Sequence, residues 1–267
     1  MAARHKQAAV FLGGGRITSA MAAGLRLAGD RREIVVYDRN QDKLRRMKKE
    51  SRIRIARSLE DALQSDSLVV IAVRPGSVAE LLGQIAECSA QPKLIVSLAA
   101  GIPLKNLRTW FPKVRWVRAM PSPVCRVGRG LTALCFERGM SAKDRACVRN
   151  LFARVGQVVE VPERKFDAFT TTYSSSHGYH ALAALASAAK RAGLDRTTAL
   201  MAAAHALADG IEYWRESGLS LAELLHEAAT PGGIAAETMA ATDRAGYRRA
   251  VRKGLRAGIE RARRNAR

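Results

Sequence analysis

Three consecutive glycines, Gly13, Gly14 and Gly15, end the short apolar run at residues 8–12. They precede a helical pattern in which Ile17, Met21 and Leu25 recur every four residues. Glycines so placed suit the binding of an anion. The first lets the chain turn sharply and the third lets the backbone approach a pyrophosphate. The helix that follows offers free N–H groups and a positive dipole end. Thr18 stands where the third small residue of such a fingerprint is usually Gly or Ala. A second apolar run, 33–38, ends in Asp38, 25 residues after Gly13. An acid there can hold the ribose 2′-hydroxyl of NAD, whereas Arg39 and Lys43 beside it can clamp the 2′-phosphate of NADP. Asp38-Arg39-Asn40 would serve equally as a helix-capping turn. With two cations at hand the expectation leans towards NADP, with NAD as the alternative. Further along, His177 and His180 lie three residues apart. A histidine titrates near neutral pH, so His177 can act as a general acid. No third ligand accompanies the pair, so no metal is expected. His180 reads as a capping or interface residue. Thr230-Pro231-Gly232-Gly233 precedes a helical pattern and can present backbone N–H groups to a carboxylate; a plain interhelix turn would look the same.

These residues need a scaffold, and the chain supplies one in two parts. It has 267 residues, 48% of them hydrophobic, enough for one large domain or two ordinary ones. Strands are expected at 33–38, 52–57, 67–73, 94–98, 114–120, 131–136 and 158–161, besides the first. Helices are expected at 42–49, 59–64, 78–87 and 142–155. Repeated βα units predict a doubly wound sheet with its ligand at the carboxyl ends of the strands. From residue 166 onward no strand pattern recurs, and helices are expected at 180–192, 197–217, 221–228, 234–242 and 247–264. The fold class is therefore α/β: a Rossmann-type domain over 1–163 and an all-helical domain over 164–267. The helical half carries more apolar surface than one such layer buries, which predicts a homodimer or higher homo-oligomer. No apolar run is long enough for a membrane span. Residues 1–6 are basic with no long apolar region after them, so no signal peptide is expected. Cys88, Cys125, Cys135 and Cys147 show no metal-ligand spacing, which fits free thiols in the cytoplasm. The net charge of +21 is spread along the chain without aromatic interleaving. That reads as a solvated arginine-rich surface, not as a nucleic-acid site.

The motifs, taken in order, resemble those of the pyrroline-5-carboxylate reductases over nearly the whole chain. The glycine-rich start through Ala20 is similar to the family's, as is Ala72-Val73-Arg74-Pro75 to its Ala-Val-Lys-Pro. Ser97-Leu98-Ala99-Ala100-Gly101-Ile102 is close to its Ser-x-x-Ala-Gly-Ile. Arg118-Ala119-Met120-Pro121 matches its Arg-x-Met-Pro, and Glu163 with Asp167-Ala168-Phe169-Thr170 matches its Glu and Asp-Ala-Val-Thr. The resemblance implies cofactor contacts from Gly13, Gly15, Arg16, Ile17, Asp38, Arg39, Ala72, Val73, Arg74 and Ala99. It implies that Thr170 lies near an imine nitrogen, with substrate held by Ser175, Thr230, Gly232, Gly233, Ile234 and Ala235.

The substrate half departs from the pattern. Ser122-Pro123-Val124 replaces Asn-Thr-Pro. The family's Ser-Gly-Ser-Gly-Pro-Ala-Tyr reads Tyr173-Ser174-Ser175-Ser176-His177-Gly178-Tyr179, where His177 replaces a proline. The Thr pair after Pro-Gly-Gly is Ile234-Ala235. The implied activity is NAD(P)H-dependent reduction of a small cyclic imine, 1-pyrroline-5-carboxylate to proline or a related imino acid. The alternatives are the same fold reducing another imine or a ketone, or a non-catalytic cofactor-binding protein.

Overall fold

The computed structural model of the chain describes residues 8–63 and 67–266. The basic start at residues 1–6 and Gln64, the last residue of one expected helix, lie outside the described residues. The chain forms two compact units. One runs through Tyr173 and takes in the segment from Gly258 onward; the other is Ser174–Ala257.

The first unit is built on a sheet of eight strands among the described residues. In chain order it comprises β1 (Ala9–Leu12), α1 (Arg16–Leu27), β2 (Ile34–Tyr37), α2 (Asp42–Ser51), β3 (Arg54–Ile55) and α3 (Leu59–Leu63). Then come β4 (Leu68–Ile71), α4 (Val78–Glu87), β5 (Leu94–Ser97), α5 (Leu104–Trp110), β6 (Arg115–Met120), β7 (Gly130–Phe136), α6 (Ala142–Ala153), β8 (Gly156–Glu160) and α7 (Glu163–Thr172). The strand order is β3-β2-β1-β4-β5-β6-β7-β8. The central strands are buried on both faces, so they read as continuous apolar runs. Alternate residues feed two cores. Val10, Leu12, Val69 and Ile71 face α4 and α5; Ala9, Phe11, Ile34 and Val36 face α1, α2 and α6.

Two features differ from the sequence reading. β7 is antiparallel to β6, while every other neighbouring pair is parallel. Residues 121–129 are too few for a parallel crossover, which takes about a dozen or more. The helices α5 and α7 are additional to those expected from the sequence. α5 buries only Leu104 and Leu107. α7 carries three threonines, whose branched side chains weaken helix propensity.

What forms α7 is tertiary. Glu163, Phe166 and Asp167 fall at i, i+3 and i+4, one face of a helix. They close around Arg118 of β6, whose side chain is 2% exposed. Arg118 donates to Glu163 Oε1 at 2.7 Å and to Asp167 Oδ1 at 3.1 Å, with its guanidinium carbon 4.4 Å from the Phe166 ring centre. Glu163 also accepts from the Leu104 N–H at 3.1 Å and from the Cys135 thiol at 3.2 Å. Burial first, then the Glu163 carboxylate, pushes that thiol up to about 12. The segment from Gly258 also belongs to this unit. Asn265 donates to the Ala100 carbonyl at 3.1 Å, and Ala266 accepts from Asn106 at 2.7 Å.

The second unit contains α8 (Ser176–Arg191), α9 (Arg196–Ser217), α10 (Leu221–Ala228), α11 (Ile234–Arg244) and the first part of α12 (Tyr247–Arg264). Among its described residues the buried apolar groups are Ala199 and Ala203, whereas Leu200, Met201, Ile211, Trp214 and Ile234 are exposed. These helices lack a core of their own.

Removing Glu163 should cost more than removing Arg118. Glu163→Ala leaves a buried cation with one carboxylate and strips the Leu104 N–H of its acceptor, a loss of about 3 kcal/mol. Arg118→Met leaves two carboxylates that water already reaches, and should cost less. Urea unfolding midpoints of the two variants check the order; Arg118→Met as the more damaging change would contradict this account.

Candidate functional site

Strand order reverses between β1 and β4, whose ends Leu12 and Ile71 are in register. In a doubly wound sheet the ligand crevice lies outside the carboxyl ends of the strands at that switch point. A cavity of about 660 Å³ occurs there, bounded by the glycine turn, the end of β2 and the first turns of α4.

The three glycines differ in why they are there. Gly13 has φ +114°, and a Cβ on it would meet the Ala72 carbonyl oxygen at 2.7 Å. A Cβ on Gly14 would meet Leu44 Cδ2 at 2.3 Å. Gly15 has φ −77°, open to any residue, and a Cβ there would meet no atom within 4 Å. The fold needs the first two to be small, whereas Gly15 only keeps open the space in front of α1. That helix has no side-chain cap and no acid in its first turn, where Arg16 stands instead. A cation at this end opposes the helix dipole, so the end is built to receive an anion. Thr18, buried in the third fingerprint position, donates to the Gly13 carbonyl at 2.6 Å and ties the turn to α1.

Asp38 binds the turn from the other side. Its Oδ2 accepts from the Gly14 N–H and its Oδ1 from the Asn40 N–H, each at 2.8 Å. Lys43 Nζ lies 3.9 Å from Oδ1. Arg39 reaches Glu80 Oε1 on α4 at 3.1 Å.

Gly13, Gly15, Arg16, Asp38, Arg39, Ala72, Val73 and Arg74 line the cavity. Ile17 and Ala99 do not: Ile17 packs on the core beneath α1, and Ala99 is buried in the opposite core. Tyr37, Ser77, Glu80 and Gln84 also line it. Nothing in α4 read alone marked Glu80. The available signal was position, since the first turn of the helix after β4 must face the switch point.

Thr170 is half-buried on α7, and its hydroxyl donates to the Phe166 carbonyl at 2.8 Å. The Tyr173 hydroxyl accepts from the Leu131 N–H at 2.7 Å, so it serves to fasten β7. In the second unit Ser175 stands at the N-cap position of α8 with no side-chain hydrogen bond to the helix, and His177, Tyr179 and His180 are exposed on its first turns. Gly233 caps α11 with extended backbone; a Cβ there would meet Thr230 Oγ1 at 2.5 Å. Gly232 has φ +74°, and Ile234 is 90% exposed, followed by exposed Ala235. Among the described residues no three His, Cys, Asp or Glu side chains are grouped to hold a metal, and no helix is long and apolar enough to cross a membrane.

The switch-point cavity and the anion-receiving helix end define the class: a Rossmann-type dinucleotide-binding fold followed by a helical unit. Residues 9–101 match the family model described as NADP oxidoreductase coenzyme F420-dependent, and residues 163–265 match pyrroline-5-carboxylate reductase dimerisation. The pyrroline-5-carboxylate reductase of Synechocystis sp. is 29% identical over 94% of this chain and 96% of its own length. The structure of the Coxiella burnetii enzyme of that name aligns with TM-score 0.83 at 25% identity, covering 98% of this chain and 99% of its own. The Plasmodium falciparum pyrroline carboxylate reductase, solved with NADP bound, aligns at 0.85 with 20% identity, covering 99% and 100%. The chain is thus similar to pyrroline-5-carboxylate reductases over nearly its whole length, and its helical half matches their dimerisation model.

Gly15→Val should abolish NADPH binding in a fluorescence titration while leaving circular dichroism and the unfolding midpoint nearly unchanged. Gly13→Ala should lower the midpoint, because its side chain has nowhere to go. Retained NADPH affinity in Gly15→Val would remove the cavity from consideration as the cofactor site.

Proposed function

We propose that this protein is an NAD(P)H-dependent reductase of a small cyclic imine, 1-pyrroline-5-carboxylate or a related imino acid, with a place in proline biosynthesis. The observation that carries the reading is Gly15, a glycine that the fold does not require and that lines the cavity. The residues present fit a dinucleotide. Gly13, Gly15 and the N–H groups at the start of α1 would hold its pyrophosphate, with Arg16 beside them. Asp38, Arg39 and Lys43 would meet its adenosine ribose. Arg39 and Lys43 favour NADP, the dinucleotide bound in the Plasmodium relative. When bound, the nicotinamide supplies the hydride.

The protein has then to orient the imine and see that its nitrogen gains a proton. Thr170 is the family's hydroxyl at that task. Its proton points at the Phe166 carbonyl. That carbonyl also accepts the helix N–H four residues on, so turning the hydroxyl outward costs about one weak neutral hydrogen bond, ~1 kcal/mol. His177 is the second candidate proton donor. Ser175 and the turn from Thr230 to Ala235 are the proposed carboxylate contacts. With Ile234 and Ala235 in place of hydroxyl side chains, Ser175, Thr230 and backbone donors remain. An acidic substrate is therefore expected to bind more weakly, and the exposed Ile234 favours a substrate with more apolar surface. The helical unit, 164–267 in sequence terms, is the proposed dimerisation and substrate domain. The four free thiols suit the cytoplasm.

NADPH oxidation measured against five- and six-membered cyclic imines, each with and without a carboxylate, tests the activity; turnover of none would favour the non-catalytic reading. On the substrate that reacts best, Thr170→Val should lower kcat about 10²-fold with little change in cofactor affinity. His177→Ala should remove a neutral-pH limb from the rate profile if His177 is the acid, and change only KM if it shapes the pocket. Light scattering at micromolar concentration should give a dimer or a multiple of it. A monomer there would contradict the account of the uncored helices.

A further inference from the structure

We infer that Glu80 sets the choice between NADPH and NADH, by holding Arg39 across the adenosine end of the cavity and by opposing a 2′-phosphate there. The inference rests on the dinucleotide reading above.

Asp38 is the residue that sequence rules consult for this choice, yet here it is not free to act. Both carboxylate oxygens accept backbone N–H groups, one from the glycine turn and one from Asn40. Swinging it away from a 2′-phosphate would orphan the Gly14 N–H at the centre of the pyrophosphate turn. Asp38 is thus a fixed negative charge beside the ribose, partly offset by Lys43 at 3.9 Å. Discrimination then falls to the groups that can move. Arg39 and Glu80 are both more than half exposed and pair at 3.1 Å, joining the loop after β2 to the first turn of α4. Gln84, one turn further along α4, stands with its amide 3.5 Å from the same Glu80 oxygen. Asp38, Arg39, Lys43, Glu80 and Gln84 all line the one cavity with Arg74 and Arg16, which carry the other positive charges of its wall.

An exposed ion pair of this kind is weak. A phosphate offers Arg39 a stronger, two-pronged partner and can draw it off. The exchange leaves Glu80 facing a dianion with its own cation gone. NADH brings no charge to that place, so the Arg39–Glu80 pair stays intact. Glu80 therefore taxes NADPH and leaves NADH nearly untouched. The chain is expected to accept both dinucleotides, with a preference for NADPH smaller than Arg39 and Lys43 alone would give.

The test is the dissociation constant of NADPH and of NADH for the full-length protein and for Glu80→Gln, by fluorescence titration at low and at physiological salt. The fragments 2′,5′-ADP and 5′-AMP serve as competitors. Gln is close to Glu in shape and the site is exposed, so the variant is expected to fold, which circular dichroism checks. Glu80→Gln should tighten NADPH and 2′,5′-ADP about 3- to 10-fold at low salt, with NADH and 5′-AMP moving less than about twofold. The gain should shrink at higher salt. An unchanged NADPH-to-NADH ratio would overturn the inference. So would weaker NADPH binding, which would make Glu80 the residue that aims Arg39 at the phosphate. Failure of the unmodified protein to bind either dinucleotide would overturn the dinucleotide reading itself, an outcome separate from both.

Discussion

Arg118 lies at the centre of the first unit with almost no access to water. A guanidinium cannot shed its charge, so burying it obliges the chain to bring carboxylates to it. Those carboxylates come from a single helical face, and the helix that carries them has little propensity of its own. The ion pairs therefore do more than join two finished elements; they are the reason that α7 exists. Glu163 extends the network to the start of α5 and to Cys135 on β7. One buried charge thus fixes α7 against β6, β7 and α5 together. Thr170, seven residues after Glu163 on the same helix, inherits its position from this cluster. Among the described residues the buried Arg118 Nε has no hydrogen-bond partner, and the Phe166 ring beneath the guanidinium supplies a cation–π contact in its place.

What was legible in the sequence follows from the range over which each feature is determined. The central strands β1, β2, β4 and β5 are readable because a strand buried on both faces must be apolar along its length, whereas the edge strands β3 and β8 are half-buried or exposed and show only short β-rich patterns. The bounds of α4 and α12 were readable to the residue from periodicity alone. The glycine turn was legible for the same local reason, since turn and anion site are made from adjacent residues. α7 was not, because its cause is a charge on a strand 45 residues away. The antiparallel setting of β7 was present in the sequence as a short connection, but only counted against the length a crossover needs. Ile17 and Ala99 illustrate the limit of a motif: each belongs to a matching stretch, yet their side chains serve the two cores.

The two halves of the molecule are under different constraints. The dinucleotide end is made from backbone: a turn whose geometry excludes side chains, tied by Thr18 and Asp38. Few substitutions preserve such a turn, so it stays recognisable. The proposed carboxylate contacts, by contrast, are carried by helices that lack a core of their own. There a Thr can become Ile without loss of a buried partner, as the exposure of Ile234 attests. Departures from the resembled pattern fall in residues 173–179 and 230–235, and in Ser122-Pro123-Val124 of the first unit, while the Arg118 cluster keeps both its acids. A specificity can be rewritten on surfaces of this kind while the hydroxyl on α7 remains where the buried charge holds it.

Asp38 shows how one residue can satisfy a functional rule for a structural reason. An acid at the end of the second strand is usually read as the ribose ligand of an NAD enzyme. Here the carboxylate completes the hydrogen bonding of the glycine turn, and without it the Gly14 N–H would need another acceptor. The acid would then be kept whichever dinucleotide the protein uses, because the pyrophosphate turn is common to both. Its presence loses diagnostic value to the extent that the turn depends on it. The choice of cofactor must be sought in charges that the turn does not use, and in this cavity those belong to the rim, where Arg39, Lys43 and Glu80 stand with their side chains in water.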